Sequence, residues 1–166
     1  MENLFGLPAH PLLVHVPVVL VPLAALGMLA IAFRPNWQRT FGPIIAALAG
    51  IGFIGTLLAA GSGEELEDKR RAAREVISST LEEHGEMGEA AQFWTGLFFV
   101  LVLAFVLFAW WRRRAGEEKA TAKVRKPKVI AVVLLVLASV SGVAAGVSIA
   151  ITGHNGAKAV WEGDQP

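Results

Sequence analysis

Cysteine and tyrosine are both absent from this chain of 166 residues. Without cysteine there can be no disulfide, no thiolate metal ligand, no cysteine-held iron–sulfur cluster, no covalent c-type haem attachment and no cysteine nucleophile. Any metal or cofactor site must therefore use other side chains. Histidine is the scarce residue type that could serve, with four copies in the chain.

Charge is also missing from four long stretches of the sequence. Their interiors contain no Asp, Glu, Lys, Arg or His except His15, which lies near an end. Each is about 20 residues long, enough for a helix to cross ~30 Å of hydrocarbon. With 54% hydrophobic residues and a mean hydropathy of +0.54, the chain is predicted to be one all-α integral membrane domain, a four-helix bundle over 1–166. The predicted spans are 11–33, 41–60, 92–111 and 129–151.

Basic residues are concentrated in the connections that follow the first and third spans. The 34–40 connection has no acidic residue, and the 112–128 connection has only Glu117 and Glu118. Because short basic loops stay in the cytoplasm, we expect a multi-pass protein of the bacterial cytoplasmic (inner) membrane with both termini outside. The basic residues are Arg34, Arg39, Arg112, Arg113, Arg114, Lys119, Lys123, Arg125, Lys126 and Lys128.

The 61–91 segment between the second and third spans is long and highly charged. Its charged residues alternate in sign at helical spacing, a pattern typical of solvent-exposed helices. We expect an extracytoplasmic helical segment here, made of one or two surface helices. Gly85 and Gly88 are the points at which such a helix would break.

Proline and small residues predict local features of the spans. Pro17 and Pro22 lie inside the first span, and each removes a backbone donor, so we expect a kink near its outer end. Small residues in the second and fourth spans allow helices to approach closely in lipid, and these Gly/Ser faces could also form a homo-oligomer. They are Gly50, Gly52, Gly55, Ser139, Gly142, Gly146 and Ser148.

The four histidines form the one constellation that could carry chemistry. His10 and His15 open the first span, His84 precedes the third, and His154 follows the fourth. The predicted topology therefore places all four on the outer side of the membrane. At about 1.5 Å per residue, His84 lies on the order of 12 Å beyond the third span unless the segment folds back.

Helical angles favour His15 and His154 as the first pair of ligands. At about 100° per residue, His154 projects near Val147 and Ala150, which predicts an inward side chain. We expect Pro11 to begin the first helix, which would leave His10 on the preceding turn. His10 and His84 follow as the second pair.

Neutral imidazole is a ligand for haem iron, zinc and copper, and four-helix bundles often hold cofactors between facing side chains. Haem b needs two axial imidazoles on opposite sides of a slot, whereas zinc or copper needs three or four converging ligands. The residues alone leave both open, together with a purely interfacial hydrogen-bonding role. The candidate cofactor-binding and metal-ligating residues are His10, His15, His84 and His154.

Two strings of the sequence resemble the signatures of domain-of-unknown-function family 2231, a family of four-span bacterial membrane proteins. They are LPAHPLLVHVPVVLVPLA at 7–24 and TGHNGAKAVWE at 152–162. The resemblance covers nearly the whole chain and maps all four histidines onto the family's histidine positions. Some members are joined to Rieske or c-type cytochrome domains, which implies an electron-transfer setting and favours haem b. The 61–91 segment is longer and more charged than in the family.

We therefore expect an integral membrane protein that binds haem b or a metal through outer-side histidines. It would act in electron transfer or as a respiratory-complex subunit, in the lipid bilayer and with a membrane or periplasmic redox protein as partner. The alternatives are a non-redox zinc- or copper-binding protein and a purely structural accessory subunit. An enzyme is not favoured, since no nucleophile–base pair, phosphate loop or carboxylate dyad stands out. Nucleic acid is not an expected partner, because topology explains the basic cluster.

Overall fold

Long helices make up nearly all of the computed structural model, which describes the backbone of residues 3–4, 7–75, 77–116 and 122–163 and the side chains of residues 9–75, 77–116 and 122–158. At the start of the chain, two strands of two residues each pair antiparallel, and a single 3-10 turn, Pro35–Trp37, follows the second helix. The strands are β1 (Asn3–Leu4) and β2 (Leu7–Pro8), and the helices are α1 (Ala9–Leu13), α2 (His15–Phe33), α3 (Gln38–Ala72), α4 (Ser79–Ala115) and α5 (Pro127–Gly163).

Within the described residues, four helical segments are long and apolar enough to cross a membrane, which confirms the predicted all-α membrane bundle. Apolar side chains cover their outward faces: Leu26 is 64% exposed and Val140 is 63% exposed. Lipid solvates such side chains as well as the protein interior does. The segments are Ala9–Phe33, Pro35–Ala72, Ser79–Ala115 and Pro127–Lys158.

The four long helices pack in sequential order around one core. α2 packs against α3, α3 against α4, α4 against α5, and α5 returns to α2, as in an up-and-down bundle. Phe98 of α4, Met28 of α2 and Ala145 of α5 are completely buried at the centre. The bundle therefore brings the beginnings of α1 and α4 to the same end as the close of α3 and α5.

Glycines allow the helices of this one chain to approach closely. A Cβ atom at Gly55 would lie 2.6 Å from Val16, one at Gly52 would lie 2.8 Å from Val21, and one at Gly142 would lie 2.7 Å from Phe98. These glycines serve packing within the chain. Gly146 differs from them, because a Cβ atom there would meet nothing within 4 Å.

The 61–91 segment is built from extensions of two membrane helices. α3 continues to Ala72, and α4 begins at Ser79 and runs through Gly85 and Gly88 without interruption. The prediction that these two glycines break the helix is therefore wrong. A helical glycine costs only about 1 kcal/mol relative to alanine, which the packing of α4 against its neighbours offsets.

Pro17 leaves one backbone hydrogen bond unmade near the beginning of the first membrane helix, because it has no N–H to donate to the Leu13 carbonyl. α1 ends at Leu13 and α2 begins at His15, but the Val14 N–H donates to the His10 carbonyl and the Val18 N–H donates to the Val14 carbonyl. The kink expected from the prolines stays a prediction. Val14 keeps helical dihedral angles, φ −63° and ψ −23°. The helix also begins earlier than predicted, at Ala9 rather than Pro11, so His10 is already helical.

Candidate functional site

The side chain of His10 packs against α3 and is held there by a hydrogen bond from its ring. Its Nδ1 donates a hydrogen bond to the Ala59 carbonyl at 2.8 Å, and the Ser62 hydroxyl lies 3.4 Å from the same nitrogen. Gly63, one turn after Ala59, provides the space for the ring, because a Cβ atom there would lie 3.1 Å from His10 Cε1. The imidazole therefore lies directly on the α3 backbone.

His84 is held against α5 by the same arrangement. Its Nδ1 donates to the Thr152 carbonyl at 3.0 Å. Gly156, one turn after Thr152, leaves space for the ring, because a Cβ atom there would lie 2.7 Å from His84 Cε1. Each histidine thus combines a carbonyl acceptor with a glycine four residues later on the facing helix.

The two imidazoles meet at the end of the bundle. Their ring centroids are 6.0 Å apart, and their planes are nearly perpendicular at 86°. His10 comes from the start of the first span and His84 from the extension that precedes the third. The bundle therefore joins two histidines that are far apart in sequence, each fixed to a different neighbouring helix.

Their hydrogen bonds determine which ring nitrogen is free. A main-chain carbonyl can only accept, so Nδ1 carries the proton in both neutral rings and Nε2 keeps its lone pair. Metal-ligating histidines commonly donate their second ring N–H to a carbonyl in this way. His84 lies outside the apolar 92–111 stretch, and burial lowers its pKa; the hydrogen bond to the Thr152 carbonyl acts in the opposite direction, and the nearby His10 adds a smaller lowering. The net direction favours the neutral ring, which is the form that binds metals.

The predicted first pair, His15 and His154, has a different environment. Both side chains are exposed, and His15 Nδ1 donates to the Pro11 carbonyl, four residues earlier in the chain, at 2.6 Å. The prediction that His154 points inward is wrong, because α5 buries the face that carries Ala145 and Ile149. His154 lies on the opposite face of α5, and its role as a ligand stays a prediction.

His84 joins His10 because the helices extend beyond the apolar stretches. The sequence-based expectation placed His84 in the same outer layer as the other histidines, on the order of 12 Å beyond the third span unless the segment folded back. Instead, α5 continues through Thr152 and Gly156 alongside α4. At the same level, α3 continues past Gly63 alongside α1. No fold-back is needed.

Several residues of the site were not singled out from the sequence, among them Thr152, Asn155 and Met87. Thr152 Oγ1 donates to the Met87 carbonyl at 3.1 Å and to the Ser148 carbonyl at 2.9 Å. Asn155 Nδ2 lies 3.0 Å from Met87 Sδ. The closing string TGHNG already contains Thr152 and Asn155, whereas Met87 could have been found from its spacing of three residues after His84 on one helix.

The ring separation fits two ligands of one metal centre. A ring nitrogen about 2.0–2.1 Å from an ion places the ring centroid about 3.2 Å from it, so two rings on one ion have centroids at most about 6.4 Å apart. The observed 6.0 Å is within that limit. Among the described residues, no three His, Asp or Glu side chains form a metal-binding group. Other donors would therefore complete the coordination.

Comparison with known proteins identifies one family. The family model DUF2231, described as a predicted membrane protein, matches residues 6–164. No curated protein and no solved structure matches the chain.

Proposed function

This multi-pass membrane protein belongs to the DUF2231 family, and we propose that it binds one transition-metal centre between His10 and His84. The observation that carries this proposal is the adjacent pair of imidazoles, with ring centroids 6.0 Å apart and each ring fixed through Nδ1 to a main-chain carbonyl. Folding already orders both rings, so metal binding loses little further side-chain entropy, which favours binding of a metal.

A bare metal ion is the first candidate for this centre. It fits between rings at the observed separation while α3 and α4 stay in place. These helices are close at this level, because a Cβ atom at Gly85 would lie 3.8 Å from Glu67 Oε2. Zinc and copper both accept imidazole nitrogen.

Haem b is the second candidate, and the ring separation is the observation that favours it. Two imidazoles that bind one iron have ring centroids at most about 6.4 Å apart, and the observed 6.0 Å lies within that limit. The macrocycle would require α3 and α4 to separate around it. His10 and His84 would supply the axial nitrogens, and the haem would supply one-electron redox chemistry.

Electron transfer is the role that we propose for the centre. Neutral imidazoles bind copper or iron in either of two oxidation states, and a half-buried ligand pair that is fixed by hydrogen bonds limits rearrangement between them. The pair lies at one end of the bundle, which the charge pattern assigns to the outer side. There it could exchange electrons with a membrane or periplasmic redox protein.

Metal analysis and an absorption spectrum of one detergent-purified sample test the proposal. The protein is prepared from cells supplied with haem, copper and zinc. Wild-type protein should carry one metal or haem per chain, and the His10→Gln and His84→Gln variants should lose it. Matched substitutions of exposed histidines, His15→Gln and His154→Gln, should retain it.

Two results would contradict this proposal. One is wild-type protein that contains neither metal nor haem after purification from supplemented cells. The other is a centre that survives in His10→Gln and His84→Gln but is lost in His15→Gln or His154→Gln, which would assign it to the pair that the helical angles favour.

A further inference from the structure

Met87 lies beside the histidine pair and carries a soft sulfur atom that the proposed centre could use. It follows His84 by three residues, so both side chains lie on the same face of α4. Both reach the same turn of α5: His84 Nδ1 donates to the Thr152 carbonyl, and Met87 Sδ lies 3.0 Å from Asn155 Nδ2. The thioether and the imidazole therefore face one short stretch of α5.

Thr152 of α5 fixes the positions of Met87 and His84 through its hydroxyl and its carbonyl. Thr152 Oγ1 donates to the Met87 carbonyl at 3.1 Å, while the Thr152 carbonyl accepts from His84. One residue of α5 thus holds both Met87 and His84 of α4 in register. The sulfur itself stays adjustable, because methionine has three rotatable side-chain bonds. Rotation about these bonds changes the position of the sulfur without a change in the backbone.

The donor set determines which ion the site would prefer. Two imidazole nitrogens and a thioether are all uncharged, and no carboxylate joins them in a three-residue group among the described side chains. Thioether sulfur favours Cu(I), whereas carboxylate and water oxygens favour harder divalent ions. An uncharged ligand set in a partly buried site also disfavours a doubly charged ion more than a singly charged one.

We propose that His10, His84 and Met87 form a three-ligand site for Cu(I), with two imidazole nitrogens and one thioether sulfur. This inference rests on the proposed function, because it assumes that the two histidines share one metal centre. It adds the identity of the ion and a third ligand. Asn155 holds the sulfur in position while no metal is bound.

The test is a Cu(I) titration of the metal-free, detergent-purified protein under anaerobic conditions, in competition with the chromophoric chelator bicinchoninate. Met87→Leu should weaken Cu(I) binding at least about tenfold, while Zn(II) binding, which needs the imidazoles, changes less than about twofold. Met28→Leu is the matched control, because Met28 is completely buried in the bundle core. It should leave Cu(I) affinity unchanged.

Copper X-ray absorption provides the second measurement. Cu(I)-loaded wild-type and Met28→Leu proteins should show one sulfur scatterer, which Met87→Leu should lack. Wild-type Cu(I) affinity in Met87→Leu, together with loss of binding in His84→Gln, would overturn the thioether ligand and leave the histidine centre standing. Absence of both Cu(I) and Zn(II) binding in wild-type protein would overturn the Cu(I) site, and absence of haem from the same protein as well would overturn the proposed function.

Discussion

The imidazole rings of His10 and His84 lie edge to face with their centroids 6.0 Å apart. Each ring is fixed independently of the other, since His10 is bound to the Ala59 carbonyl of α3 and His84 to the Thr152 carbonyl of α5. The separation of the rings is therefore determined by the packing of the bundle. A substitution that moves either ring from its carbonyl should therefore weaken the binding of any ligand that both rings share.

Gly156→Ala should weaken metal binding by about tenfold, the lower end of the effect of changing a group that supports a ligand. The new Cβ atom would lie 2.7 Å from His84 Cε1, so the ring must move from the Thr152 carbonyl. Gly153→Ala is the control, because a Cβ atom there meets nothing within 4 Å. Isothermal titration with zinc or copper measures both, and equal affinities in the two variants would refute the role of Gly156.

Gly142→Ala should destabilise the bundle by about 1–3 kcal/mol, the usual cost of overpacking a core. The added methyl group would lie 2.7 Å from the ring of Phe98, which is completely buried. Gly146→Ala should be neutral or stabilising, because that position is open and alanine favours the helix. Thermal unfolding in detergent compares the two, and a Gly146→Ala variant that is less stable than Gly142→Ala would contradict the packing described here.

Ser78→Ala should loosen the first turn of α4. Ser78 caps this helix by accepting a hydrogen bond from the Leu81 N–H at 3.3 Å, and loss of such a cap costs about 1 kcal/mol. Amide hydrogen exchange at residues 79–84 should accelerate by about fivefold if exchange follows local opening. Ser79→Ala removes a neighbouring hydroxyl from an exposed position and should change exchange little. Similar acceleration in both variants would show that Ser78 has no special role.

Single cysteines can test the predicted orientation, because the chain has none of its own. Glu83→Cys, in the segment predicted to be outside, should react with a membrane-impermeant maleimide on intact spheroplasts. Lys123→Cys, in the connection predicted to be cytoplasmic, should react only after the membrane is permeabilised. The reverse labelling pattern would invert the topology and place the histidine pair on the cytoplasmic side.

The sequence predicted the fold because membrane helices have a simple composition. Four stretches without charged residues were enough to predict the spans, whereas the kink expected from the prolines stays a prediction. The end of α3 and the beginning of α4 could not be predicted in the same way. Their extensions are charged and contain Gly85 and Gly88, so they look like a separate surface segment until the neighbouring helices are present.

The site was predicted less completely, for a physical reason that His154 illustrates. A soluble helix shows its buried face by alternation of polar and apolar residues, but a membrane helix is apolar on both faces. On α5 the exposed Val147 and the buried Ile149 differ little in character. The helical angle therefore could not show which face is buried, and the pair predicted first, His15 and His154, is exposed.

Pulsed electron paramagnetic resonance of Cu(II)-loaded protein tests the shared centre most directly, because electron spin-echo modulation counts the imidazoles bound to one copper ion. The account predicts two imidazoles in wild-type protein, and one or none in His10→Gln and in His84→Gln. A wild-type spectrum with no imidazole or only one, or a two-imidazole spectrum that persists in both variants, would contradict it.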